Sequence, residues 1–191
     1  MKLLSLDIGV HNVGWCEMEA GDDGGGDDRI TGWGTVDLSP DRRRPTCEQT
    51  TLALLQWIGD RRGSGVDVVL IEQQSGRNVG CKVLSHVAQA CARTVLDARA
   101  VFVSPRRWAA PTPGLSRSAA YRHRKAAVVE AARDYVAASP RWRAVLDAAP
   151  KRDDMSDALM MAVYYAGSTR GPTRSGSYEQ GGGRPRSPGR T

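Results

Sequence analysis

The 191-residue chain lacks the features that mark several common classes of protein. No apolar run approaches the roughly 20 residues that a membrane-spanning helix needs. No secretory leader or Arg-rich presequence is visible, because Met1-Lys2 leads straight into a strand-like segment containing Asp7. The expectation is a protein that is neither secreted nor mitochondrial and has no membrane partner. The four cysteines, Cys16, Cys47, Cys81 and Cys91, form no close pair. Free, buried thiols in a reducing intracellular compartment are therefore expected, not a disulfide framework or a zinc ribbon. No internal repeat is present. The glycine cluster before the basic tail, Gly24-Gly25-Gly26, sits among aspartates that would repel a phosphate, which argues against a nucleotide cofactor.

The net charge of +6 is unevenly spread. Residues 168–191 hold five Arg and one Glu, a net +4, which leaves +2 for the rest. Residues 17–28 contain six acids and no base, whereas residues 99–125 contain seven bases and no acid. The second stretch is able to track phosphates. A solvated helix face followed by a loop gives the same pattern, so charge alone favours nucleic acid only weakly.

Short apolar runs predict strands at residues 3–8, 13–19, 30–37, 66–72 and 100–103. Helices are predicted at residues 46–62, with Leu52, Leu55 and Ile58 as its apolar spacing, and at 82–98. Further helices are predicted at 119–138, stopped by Ser139-Pro140, and at 153–165. Residues 20–28 read as a flexible hairpin loop, and residues 105–118 as a loop rich in Pro, Trp and Arg. Three strands in succession form an antiparallel meander, and strands separated by helices add in parallel. The expected fold is α/β: a mixed five-stranded sheet, three antiparallel then parallel strands, flanked by helices. Residues 1–167 make one domain, and residues 168–191 a disordered basic Gly/Pro/Ser/Arg tail.

Four acids stand out. Asp7 lies in the first apolar strand, Glu72 closes the fourth, and Asp154 and Asp157 lie three apart at the start of the last helix, on one face of it. A single Asp after a strand often caps a turn, and Asp153 or Asp154 can N-cap a helix. Capping does not account for Asp7 within an apolar strand or for Glu72 directly after Ile71. Neighbouring first and fourth strands would gather all four acids in one patch. Buried carboxylates repel one another and call for a compensating cation. With no competing His or Cys set, the hard cations Mg²⁺ or Mn²⁺ fit best. Two such ions about 3.5–4 Å apart suit phosphodiester hydrolysis.

Three blocks carry a family likeness: Leu4-Ser5-Leu6-Asp7-Ile8-Gly9-Val10-His11-Asn12 with Val13-Gly14-Trp15; Leu70-Ile71-Glu72-Gln73-Gln74 with Arg77; and Lys151-Arg152-Asp153-Asp154-Met155-Ser156-Asp157-Ala158-Leu159. Over residues 1–166 the chain resembles the RuvC-like Holliday junction resolvases, in the branch of poxviruses, other large DNA viruses and fungal mitochondria. The resemblance implies a ribonuclease H-like fold, a homodimer, and Mg²⁺-dependent cleavage of four-way DNA junctions in recombination and repair. It makes Asp7, Glu72, Asp154 and Asp157 the metal ligands, and the spacing of three favours Asp154 over Asp153. Lys125 matches the family's basic residue in the preceding helix, where it contacts the scissile phosphate; a surface lysine on a basic helix is the plainer reading.

Gln74 and Arg77 would face the junction, or cap the next helix. Arg106, Arg107, Arg122 and Arg124 are further DNA-binding candidates, with Trp108 either stacking on a base or buried. Residues 20–28 and 139–149 depart from the family pattern as insertions. The branch implied is viral or otherwise non-mitochondrial, acting in the cytoplasm or nucleus of an infected cell. Other classes remain: a ribonuclease acting on RNA–DNA hybrids, a non-catalytic junction binder, and an actin- or sugar-kinase-type phosphotransferase. The Asp154/Asp157 pair argues against the first, the four intact acids against the second, and the missing phosphate loop against the third.

Overall fold

The computed structural model describes residues 1–21, 29–39, 45–74, 78–108, 114 and 116–169, the side chains of Arg106 and Arg117 excepted. Five strands, β1 (Lys2–Ile8), β2 (Asn12–Glu19), β3 (Arg29–Asp37), β4 (Val68–Glu72) and β5 (Arg99–Val103), form one sheet in the order β3-β2-β1-β4-β5. β1–β2 and β2–β3 pair antiparallel, and β1–β4 and β4–β5 pair parallel. The expected mixed sheet is the observed one. The acidic loop expected at 20–28 falls, from residue 22 on, outside the described residues. Among those described, no helix is long and apolar enough to cross a membrane.

Side-chain alternation sorts β1 and β4 into two cores. Leu4, Leu6 and Ile8 join Val69 and Ile71 beneath α1 (Cys47–Gly59) and α2 (Val79–Thr94). Leu3 joins Val68 and Leu70 beneath α5 (Arg152–Thr169), with α3 (Arg117–Tyr135) and α4 (Pro140–Ala148) on the same side. Asp7 shares the parity of Leu3, and Glu72 that of Val68 and Leu70. Both therefore fall on the α5 face.

Three helix readings need correction. In α1 the buried positions are Thr50, Leu54 and Ile58, whereas Leu52 and Leu55 are exposed. The helix offers two apolar stripes, and the sheet takes the one spaced by four. α2 starts at Val79, three residues before the expected Lys82, because the Asn78 side chain accepts from Cys81 N–H and caps it. Ser139-Pro140 does not merely stop a helix: the Ser139 hydroxyl accepts from Trp142 N–H and Pro140 opens α4, a helix absent from the sequence reading. A proline at the first helical position costs no hydrogen bond, so the same dipeptide both ends one helix and begins the next. Cys47, expected to be buried, is exposed, whereas Cys16, Cys81 and Cys91 are free and buried.

The first two turns of α5 are fastened at several points. Trp33 Nε1–H on β3 donates to Met155 O at 2.7 Å, and Ser5 Oγ on β1 donates to Ala158 O at 2.5 Å. Gly14, opposite Asp7 in the β1–β2 register, lies so close that an added Cβ would sit 2.2 Å from Asp154 O. That contact brings Asp154 over the sheet.

Candidate active site

Parallel pairing of β1 with β4 aligns Leu6 with Ile71, so Asp7 and Glu72 emerge side by side at adjacent strand ends. Their carboxyls interact with one another. Burial first, then this contact and the charge of Glu72, hold the Asp7 pKa well above the ordinary carboxylate range, although Lys125 works against the shift. From α5, Asp157 points into the same space and is almost completely buried. Asp154, one helical turn earlier, also has a raised pKa, first from burial and then from Asp153.

The Lys125 ammonium, reaching across from α3, stands at the centre. Its Nζ lies 2.7 Å from Asp157 Oδ2, 3.3 Å from Asp153 Oδ2, 3.5 Å from Asp154 Oδ1 and 3.9 Å from Asp7 Oδ2. Burial disfavours this charge, but Asp157 and Asp7 outweigh it and raise the lysine pKa. Among the described residues, no three Asp, Glu, His or Cys side chains stand close enough as placed to hold an ion between them. The ammonium fills that space. A lone cation surrounded by hard carboxylate oxygens is what a divalent ion would replace, so the donor set fits Mg²⁺ or Mn²⁺.

Asp157 Oδ1 faces the other way. Trp108 Nε1–H donates to it at 3.1 Å, and Arg124 Nη1 lies 3.6 Å off. Arg124, expected to meet DNA, thus turns inward, and its Nη1 is buried without a hydrogen bond. Gln74 Nε2–H donates to Ile8 O at 3.2 Å, tying the end of β1 beside Asp7. Arg107 and Arg122 are exposed, with Arg107 donating to the Tyr164 hydroxyl. Arg77 and the side chain of Arg106 lie outside the described residues. A groove of about 760 Å³ opens beside the acids, lined among others by Tyr121, Arg122, Lys125, Arg133, Arg152 and Asp153.

The sequence reading set Asp153 aside, and the structure places it against Lys125. It also left the partner of Trp108 unidentified. The register Glu72↔Val103 held the clue, because the chain leaving β5 begins next to the acids.

This sheet order, with helices on both faces and acids on β1, β4 and the last helix, is the RuvC-like form of the ribonuclease H fold. Solved structures agree. A fowlpox virus resolvase in complex with its substrate Holliday junction DNA aligns with TM-score 0.65 and 16% identity, covering 88% of this chain and 99% of that one. The fowlpox virus Holliday junction resolvase itself gives 0.63 and 17%, covering 89% and 100%. Thermus thermophilus RuvC gives 0.58 and 12%, covering 88% and 97%. No curated protein matches the chain. The family model described as the poxvirus A22 protein matches residues 1–168, and the chain belongs to that family.

Proposed function

We propose that the protein is a structure-selective DNA endonuclease that resolves four-way junctions by paired, metal-dependent phosphodiester hydrolysis. The observation that carries this reading is the convergence of Asp7, Asp154 and Asp157 on Lys125, with Glu72 beside Asp7, on one face of a RuvC-like sheet. Asp7, Glu72, Asp154 and Asp157 would hold Mg²⁺, with Mn²⁺ as a substitute and two ions in the site. Bound there, the metal supplies an activated water and charge stabilisation at the leaving 3′ oxygen. The protein's own groups do the rest. Asp7 serves as a ligand in its ionised form, which burial and Glu72 disfavour while no cation is bound, and Lys125 must leave the acid cluster. Its ammonium is then free to meet a phosphate oxygen where negative charge develops. Arg107, Arg122 and Arg152 provide cations for the phosphate backbone, with Arg77 and Arg106 as further candidates.

A homodimer belongs to the same reading, since symmetric cutting of a junction needs two sites. It is supported by Leu52, Leu55, Val79 and Val83, apolar side chains left exposed on α1 and α2. The viral family and the free thiols fit the reducing cytoplasm of an infected cell. Residues 1–169 form the nuclease, because α5 runs two residues past the expected boundary at 167, and residues 170–191 form a basic tail.

The test is a labelled four-way junction incubated with protein and Mg²⁺, beside an RNA–DNA hybrid of the same sequence. Symmetric nicks on the junction are expected, lost in Asp7→Asn and Asp157→Asn. Preference for the hybrid, or undiminished nicking by either variant, would overturn the proposal.

A further inference from the structure

Asp157 is the most deeply buried of the four acids, and its two oxygens have different partners. Oδ2 accepts from Lys125 at the centre of the cluster, at 2.7 Å. Oδ1 accepts from the Trp108 indole N–H at 3.1 Å. Arg124 Nη1 is 3.6 Å from the same oxygen and makes no hydrogen bond, so the indole is the donor that holds Oδ1. Indole nitrogen donates and never accepts, so this contact fixes the direction of the carboxylate plane. A donor to an ionised oxygen also makes one of the stronger kinds of hydrogen bond. The body of Trp108 is anchored too, because its ring packs on the core beneath α5.

Packing alone does not require that nitrogen, since a phenyl or isobutyl group would cover the same apolar surface. We infer that Trp108 is a positioning residue, whose indole N–H holds Asp157 so that Oδ2 faces the space where a divalent cation binds. Trp108 does not touch the reacting atoms; it acts through Asp157. The inference rests on the assignment of Asp157 as a metal-binding acid. Its location has a further consequence. Trp108 closes the short 3₁₀ turn Pro105–Arg107, which leaves β5 and carries Arg107. The segment proposed to meet the DNA backbone therefore also orients a metal-binding acid.

The experiment compares wild type with Trp108→Phe, which keeps an aromatic ring and loses the donor. Mn²⁺ affinity is measured by titration calorimetry without DNA, junction affinity in Ca²⁺, and nicking under single turnover. About tenfold weaker Mn²⁺ binding is expected, the lower end of what loss of a ligand's supporting partner brings, with a matching fall in rate and unchanged junction affinity. In parallel, the indole ¹H–¹⁵N resonance of Trp108 is followed by NMR. It should shift on Mg²⁺ addition and in Asp157→Asn. Mn²⁺ binding by Trp108→Phe equal to wild type would overturn the inference. So would an indole resonance indifferent to Asp157→Asn, a measurement that stands even if the Phe variant does not fold. Intact metal binding and nicking in Asp157→Asn itself would instead remove the parent assignment, and the two failures are thereby told apart.

Discussion

Lys125 lies within 4.0 Å of four carboxylates on two elements, and every one of them favours its charge. A metal must compete with that ammonium. At an effective dielectric of about 20, one charge about 4 Å away contributes up to roughly 4 kcal/mol. Lys125→Met is therefore expected to bind Mn²⁺ at least about tenfold more tightly in calorimetry, while nicking slows by about a hundredfold or more as a phosphate-facing cation is removed. Affinity and rate move in opposite directions, which no general loss of folding produces. Asp7 makes a second prediction. Its folded pKa is above the unfolded value, so between the two the native state holds more protons. Stability from this group is greatest below about pH 4 and is lost as pH rises through the raised folded value. In calorimetric melts without metal, wild type should lose stability on that rise relative to Asp7→Asn, and Mg²⁺ should cancel the difference. Asp7 and Glu72 were legible in the sequence, because neither packing nor capping puts an acid inside an apolar strand, whereas Asp153 was set aside on its spacing. Lys125 was legible only through the family likeness, since its helix places other basic residues beside it and only tertiary packing chooses which one turns inward.

At the scale of elements, the site depends on how closely α5 approaches the sheet. Gly14 leaves no room for a methyl group against the Asp154 backbone. Gly14→Ala is expected to push the first turn of α5 off β2, costing about 1–3 kcal/mol in thermal unfolding and most of the nicking activity. Trp33, bonded to Met155 O, holds the adjoining residue and limits how far the helix can retreat. A G14A protein with wild-type stability and activity would show that this approach is not needed. Strands were easy to find because their apolar runs are short and bounded, and their parity already put Asp7 and Glu72 on one face. α4 was missed because Ser139-Pro140 is both a stop and a start. The buried stripe of α1 was misjudged because Leu52 and Leu55 compete on equal terms with Leu54 and Ile58.

For the whole molecule, charge sets the behaviour toward DNA. Residues 170–191 contain five Arg and one Glu. Truncation after Thr169 should leave nick positions unchanged while weakening junction affinity and flattening its dependence on salt, by nearly one logarithmic unit for each phosphate that the tail neutralises. An unchanged salt slope in filter binding would take the tail out of the interface. The topology also bears on synthesis. Among the described elements, the central strand β1 is made first, and the helix that completes the acid cluster is made last. Ser5 and Ala158, 153 positions apart, are bonded to each other. Contacts so distant in sequence form late, and a chain stopped before α5 carries Asp7 and Glu72 but neither Asp154 nor Asp157. Copies that stop before α5 therefore hold only half of the acid cluster, and the site comes into being only once that helix has been made.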